Sequence, residues 1–288
     1  MKSLEKKDCL FPSSLSEALD ALAKRGPSIK ILAGGSDLMV QWQDQPPNSV
    51  LYITSLPELR KIEEQGDYLR IGAAVSHREL GSSDLVEKYL PALNAAAKTV
   101  GARQIQNIGT IGGNVANASP AGDLAPALMV SRAKLIIASK NEKRRVALDD
   151  FFLDYRKINL RDDELIIAFE VEKKRAQEKE GFKKLGPRKA QAISKIVAAY
   201  RGELRAGKVT KISMALGSVA ATTLRLRELE RSLEQKDLTP ELVDEVEVLA
   251  REAVSPIDDI RSSANYRKWV SGRLVRRFLE DLMKGQED

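Results

Sequence analysis

The sequence predicts an α+β protein, and three observations carry that prediction. Apolar residues recur at helical spacing in capped windows, and short β-branched runs lie between Gly and Asp turn signals. A charged stretch at 172–184, "EKKRAQEKEGFKK", then sets off a C-terminal third that reads as two β-rich runs followed by three helical patterns.

From the N-terminus, Ser14 with Glu17 makes a capping box for a helix running to Gly26, whose face is marked by Leu15, Ala18, Leu19 and Leu22. The short strand "IKILA" follows and enters Gly34-Gly35 directly. "VLYIT" reads as another strand, and "LRKIEEQG" and "YLRIGAAV" as a pair joined by a Gly-Asp turn. A second capping box, Ser76 with Glu79, opens a helix, and "LPALNAAAKTVG" reads as one more. Past the stretch "TIGGNVANASPAGD" come a helix "DLAPALMVS", a hairpin around "KNEK" and a buried strand "ELIIAFEV". The 172–184 segment is expected to be a boundary or a long exposed loop. Beyond it, "AISKIVAAYRGEL" and "KVTKISMALGSVA" are strands. Leu242, Val243, Val246, Leu249, Ala250 and Ala253 mark one late helix, and Trp269, Val270, Leu274, Phe278 and Leu282 mark the last. This final third is expected to be a separate sheet backed by helices.

Composition narrows the function classes. Lys plus Arg outnumber Asp plus Glu by 47 to 41, but the basic residues lie in mixed-sign patches, which suits a solvated surface better than a nucleic-acid footprint. One Cys and one His cannot assemble an iron–sulfur cluster or an ordinary zinc site, so no metal site is expected. No apolar run approaches bilayer length, no signal peptide is evident, and a cytoplasmic protein is expected. His77 follows the cap Ser76 at the start of a helix and is expected to have a surface or first-turn role.

Two strand-adjacent loops carry the chemistry: "AGGSD" at 33–37 and "TIGGN" at 110–114. Without Cβ atoms, successive backbone N–H groups can converge on an anion, and phosphate is the natural guest. Neither loop fits the P-loop or the ordinary G-x-G-x-x-G pattern. Ser36, Thr110, Asn114, Asn117 and Asp123 could serve the hydroxyls of a dinucleotide with an uncharged central arm. The bland reading stays open at this point: Gly-Gly as tight turns, the asparagines as turn residues, and Asp123 as the N-cap of the helix after it.

"ILAGGSDLM", "YLRIGAAVSHREL", "GARQIQNIGTIGGNVANASPAGDLAPAL" and "SPIDDIRSSANYRKWVSGRLVRRFL" together resemble, in order and over nearly the whole chain, the flavoprotein subunits of the molybdenum hydroxylases. The resemblance implies a two-subdomain FAD-binding fold of the vanillyl-alcohol-oxidase type at 1–175, with subdomains of about 1–55 and 56–175, and a C-terminal domain of the CO dehydrogenase flavoprotein type at 176–288. It implies FAD contacts from Leu32, Ala33, Gly34, Gly35, Ser36, Asp37 and Leu38 and from Thr110, Ile111, Gly112, Gly113 and Asn114. Asn117 and Asp123 match further contact positions, Ile166 matches an apolar residue packed on the flavin ring, and Lys183 matches a lysine near the ring's polar edge.

It further implies a division of labour. Substrate is oxidised at a molybdenum cofactor on a large subunit, two [2Fe–2S] clusters sit on a small subunit, and this chain is the electron exit to NAD⁺ or another acceptor, in a dimer of heterotrimers. No catalytic acid, base or nucleophile is expected here. Val100 stands where some relatives carry an aromatic over the flavin, and "KLGPRKAQ" is basic where some carry acidic residues, which puts NAD⁺ as acceptor in doubt. The rival readings are a self-sufficient flavin oxidase or reductase and a non-enzymatic nucleotide-binding module.

Overall fold

One strand, buried on both faces, organises the N-terminal half. In a computed structural model that describes residues 8–42, 46–188 and 191–284, β10 (Leu165–Glu172) is the centre of a five-stranded antiparallel sheet. Its neighbours are β4 (Ile62–Gln65), β5 (Tyr68–Gly72), β6 (Lys134–Ala138) and β7 (Lys143–Ala147), in the order β4-β5-β10-β6-β7. A bulge between Ile166 and Ala168 shifts the alternation, so Leu165, Ile167 and Ala168 enter one core while Ile166, Phe169 and Val171 enter another. A strand between two cores must be apolar throughout, which is why "ELIIAFEV" reads as a continuous buried run.

The first core seats a parallel sheet of β1 (Asp8–Leu10), β2 (Ile29–Leu32) and β3 (Ser49–Tyr52), in the order β1-β3-β2. Helix α1 (Leu15–Arg25) joins β1 to β2 and buries Ala18 and Leu22; the short α2 (Leu38–Gln41) follows β2. The capping box predicted for α1 is half formed. Ser14 Oγ accepts from the Glu17 amide at 3.2 Å, but the Glu17 carboxylate turns one residue back to the N–H of Ser13 at 2.7 Å.

Five helices share the core on the other face of the central sheet, α3 (His77–Ser82), α4 (Asp84–Tyr89), α5 (Pro91–Thr99), α7 (Ile111–Ala116) and α8 (Leu124–Val130), while α6 (Arg103–Ile108) packs on α3. The box at α3 is complete, as its sequence predicts. The small hairpin β8 (Phe152–Asp154) and β9 (Lys157–Ile158) lies between β7 and β10 in sequence.

The last third forms an antiparallel sheet of β11 (Lys179–Leu185), β12 (Ile196–Arg205), β13 (Lys208–Gly217) and β14 (Leu224–Arg225). It packs against α9 (Arg227–Leu233), α10 (Pro240–Glu252) and α11 (Ala264–Met283) in a core where Tyr200 and Phe278 meet at 4.5 Å between ring centroids. Trp269, on the predicted apolar face of α11, instead points out and lies beside the Arg273 guanidinium. The charged 172–184 segment is also shorter as a loop than its composition suggests, because β11 begins at Lys179 and the Glu178 and Glu180 side chains are buried.

Glu180 fastens this sheet to the helices. Its carboxylate takes the guanidinium of Arg201, the Ser131 hydroxyl at 3.2 Å and the Ala92 N–H at the start of α5 at 3.2 Å, while Arg201 also donates to the Glu172 carbonyl at 2.9 Å. Burial pushes the Glu180 carboxyl above the usual range, against the pull of Arg201. Arg201→Met should therefore strand a buried carboxylate and cost about 3–5 kcal/mol, lowering the thermal unfolding midpoint by on the order of 10 °C. An unchanged midpoint would show that the pair fastens nothing.

Of the two roles expected for His77, the structure has the first-turn one: it is the first residue of α3, and it is buried. Its N–H donates to the Gly109 carbonyl at 2.9 Å, and its Nδ1 has no partner among the described residues. Burial pushes the imidazole down from 6.5 to about 4. Between those values the unfolded chain binds a proton that the folded chain refuses, so stability is complete above the upper value and is lost as pH falls toward the lower one, by up to ~3 kcal/mol. His77→Gln, neutral at every pH, should flatten the slope of unfolding free energy in that window by about one proton. Equal slopes in urea titrations of the two proteins would contradict a buried neutral imidazole.

Candidate functional site

The carboxyl ends of adjacent parallel strands are where open α/β sheets bind ligands, because loops leaving two neighbouring strands diverge there. Here β2 and β3 end side by side, and a cavity of about 250 Å³ opens above them. Leu32, Ala33, Gly34 and Gly35 line one wall and Asn107, Ile108 and Thr110 a second; Tyr52, Thr54, Arg60, Ala74 and Ser76 complete it with Met39.

The two glycine loops meet at this cavity. A Cβ placed on Gly34 would lie 1.6 Å from the Ile108 carbonyl oxygen and 2.3 Å from its carbon, so only glycine admits the contact. A second bond closes the seam: Asn117 Nδ2 donates to Asp37 Oδ1 at 3.1 Å, while Ser36 Oγ lies 3.3 Å from the other Asp37 oxygen. Leu38 begins α2 just beyond the cavity.

The loops are not equivalent, contrary to the expectation that both offer main-chain amides. In the second loop the amides are already spent. Ile111 N–H donates to the Val75 carbonyl at 3.0 Å, Gly112 N–H to Ala73 at 2.9 Å, Gly113 N–H to Thr110 Oγ1 at 3.0 Å and Asn114 N–H to the Thr110 carbonyl at 2.9 Å. This loop is the first turn of α7, capped by Thr110, and Gly112 is needed because a Cβ there would stand 2.7 Å from the Ala73 carbonyl oxygen. The first loop is the open one: among the described residues none accepts from the amides of Gly34, Gly35, Ser36 or Asp37. What the second loop offers is side chains, the Thr110 hydroxyl and Asn114, whose Oδ1 is buried without a partner.

From Thr110 the chain runs to Asp123 and the C-terminal sheet. The Ser218 N–H donates to the Pro120 carbonyl at 2.8 Å. Asp123 stands at the N-cap position of α8, but its side chain makes no capping bond. Its carboxylate instead accepts from Lys184 Nζ at 2.6 Å and from Ser194 Oγ at 2.5 Å, and Lys184 also donates to the Thr99 carbonyl at 2.9 Å. Burial pushes the Asp123 carboxyl up, with the Lys184 ammonium and Ser194 opposing.

Two expected residues lie elsewhere. Lys183 is exposed, because neighbours on a strand face opposite ways and Lys184 takes the inward position on β11. Ile166 is packed into the core under the helices, and the bulge hands the other face to Ile167, which shares its core with Ala74 of the cavity wall. Thr54 and Arg60 were absent from the sequence reading. Their signal was available, since the loop after a strand parallel to β2 also belongs to the cavity. The hydroxyl of Thr54 is buried without a partner. Cys9 is exposed, and among the described residues no group of three or more His, Cys, Asp or Glu side chains is placed to hold a metal. Among them, too, no helix is long and apolar enough to cross a membrane.

Residues 4–172 match the family described as the FAD binding domain in molybdopterin dehydrogenase, and residues 181–282 match the CO dehydrogenase flavoprotein C-terminal domain. The carbon monoxide dehydrogenase medium chain of Hydrogenophaga pseudoflava is 32% identical over 93% of this chain and 94% of its own. The xanthine dehydrogenase FAD-binding subunit of Escherichia coli O157:H7 is 29% identical over 93% of each. A solved carbon monoxide dehydrogenase from Hydrogenophaga pseudoflava, lacking the Mo-pyranopterin moiety of its molybdenum cofactor, superposes with a TM-score of 0.90 at 31% identity, covering 94% of this chain and 95% of that one. With open amides, a glycine seam and the unpartnered Thr54 hydroxyl at one cavity, and with both family matches together spanning most of its length, the chain belongs to the FAD-binding subunits of the molybdenum hydroxylase family, a group of oxidoreductase subunits.

Proposed function

We propose that this chain is the electron-transfer subunit of a cytoplasmic molybdenum hydroxylase, assembled with a large subunit that carries the molybdenum cofactor and a small subunit that carries [2Fe–2S] clusters, as a dimer of heterotrimers. Electrons from the clusters leave through this chain to NAD⁺ or another acceptor. The observation that carries the reading is the open turn of Gly34, Gly35, Ser36 and Asp37, four amides without an internal acceptor at the carboxyl end of a parallel strand.

The residues fit the cofactor. A diphosphate takes the open amides and the Thr110 hydroxyl, and a sugar or ribityl hydroxyl satisfies the unpartnered Oδ1 of Asn114. Asn117 and Asp37 fix the two loops against each other. Ala33 and Leu32 provide the apolar wall, while Ile111, Gly112 and Gly113 support the second loop from beneath. FAD, when bound, supplies the exchange between one-electron and two-electron carriers.

The flavin end of the site is assigned to the Asp123 and Lys184 pair. Among the described residues, Lys184 spends two of its three N–H donors on Thr99 and Asp123 and keeps one. A fixed ammonium there favours negative charge on a neighbouring ring. Asp123 holds that ammonium in place, and neither group needs to exchange a proton with substrate. Lys184 takes this role in preference to Lys183, and Ile166 acts from the core behind the site.

Isolating the native complex tests the reading. It predicts a yellow assembly with flavin, iron and molybdenum and two further chains. A colourless chain that binds a nucleotide would favour the nucleotide-binding module, and a lone chain oxidising a substrate would favour the self-sufficient oxidase. Gly34→Ala should push the first loop off Ile108 and weaken FAD binding at least about a hundredfold, roughly 3 kcal/mol, with the far-UV circular dichroism of the chain retained. Wild-type affinity in that variant would mean the seam plays no part in binding.

A further inference from the structure

Among the described residues that line the cavity, Arg60 is the one charged side chain. It ends the turn 57–59, where Leu59 is buried and sets the backbone, and it is anchored by a relay of bonds. Arg60 NH2 donates to Glu79 Oε1 at 2.7 Å, the other Glu79 oxygen accepts from the Ser76 N–H at 2.7 Å, and Ser76 Oγ accepts from the Glu79 N–H at 3.1 Å. The capping box of α3 therefore does two jobs: it closes the helix and it holds a guanidinium at the rim of the cavity. Only NH2 is engaged among the described residues, so Nε and NH1 keep donors to offer. Six residues earlier in the chain, Thr54 Oγ1 is buried with no partner and lines the cavity. A buried hydroxyl left unpaired costs stability unless a ligand or water completes it.

We infer that Arg60 and Thr54 form the phosphate-reading wall of the site: Arg60 supplies the cation that offsets the diphosphate, and Thr54 supplies a hydroxyl donor beside it. This rests on the FAD reading and deepens it. The open amides of residues 34–37 carry partial charges, whereas a diphosphate diester carries two full ones, and a guanidinium offers parallel donors suited to phosphate oxygens. Glu79 neutralises one edge of Arg60 but also removes the entropy cost of ordering a long side chain, so the cation stands ready before ligand arrives. Affinity should accordingly depend on the phosphates more than on the ring.

The test compares FAD, ADP and riboflavin as probes on the flavin-depleted full chain. ADP carries the diphosphate without the ring, and riboflavin the ring without phosphate. In R60A the Kd for both FAD and ADP should rise about tenfold at low salt, with less salt dependence than in the unaltered chain, while riboflavin binding stays the same. R60K should recover part of the loss, since it keeps the charge and gives up the fork. T54V supplies a variant independent of Arg60 folding effects: removing an unpaired buried hydroxyl should leave the ligand-free unfolding midpoint unchanged or raised, yet weaken FAD several-fold. Unchanged FAD and ADP affinity in R60A would overturn the inference, as would a proportional loss of riboflavin binding, which would make Arg60 a scaffold residue only. Failure of the unaltered chain to bind FAD would overturn the FAD reading itself, and the inference with it.

Discussion

The carbonyl of Ile108 occupies the space that a side chain on Gly34 would need, and the geometry of the site depends on that contact. Two segments separated by more than seventy residues touch main chain to main chain, which no side-chain packing could bring so close. The contact fixes where β2 ends relative to α7, and so which amides remain free. Because Thr110 and its neighbours fold their own N–H groups into a helix turn and into the carbonyls of Ala73 and Val75, the second loop becomes a rigid floor. Among the described residues the first loop has no such internal use for its amides, and this asymmetry gives the pair of glycine turns an open side and a supporting side.

The same economy appears in the polar core. Asp123, Glu79 and Glu180 each serve two elements at once: Asp123 ties the helical layer to β11 and Ser194, Glu79 ties a helix cap to Arg60, and Glu180 ties α5, Ser131 and β12 together. Each is a carboxylate with several donors around it, which is what makes the largely buried charges of Asp123 and Glu180 tolerable. Asp123 and Glu180 hold the third sheet against the helical layer, and the cavity and the Lys184 ammonium are held in one frame.

Much of this was legible in the sequence. The glycine loops, the double-faced strand "ELIIAFEV", the capping box at Ser76 and the C-terminal sheet with its helices follow from local patterns, and the structure has them. What was not legible depends on register or on distant partners. Lys183 and Lys184 are indistinguishable until β11 pairs with β12 and fixes which one faces Asp123. Ile166 and Ile167 exchange faces at a bulge that no propensity announces. Asp123 has the composition of a helix cap, and only the approach of Lys184 and Ser194, some sixty and seventy residues away, diverts its carboxylate. The first-turn position of His77 is a local signal, whereas its burial is imposed by the loop that ends at Gly109.

The most direct measurement is a crystal structure of the chain reconstituted with FAD. The account predicts density for the diphosphate against the amides of residues 34–37, with the Thr110 hydroxyl in contact and the amides of Ile111 to Asn114 still bonded to Val75, Ala73 and Thr110. A diphosphate seated away from residues 34–37, or a second loop unwound to offer its own amides, would contradict it.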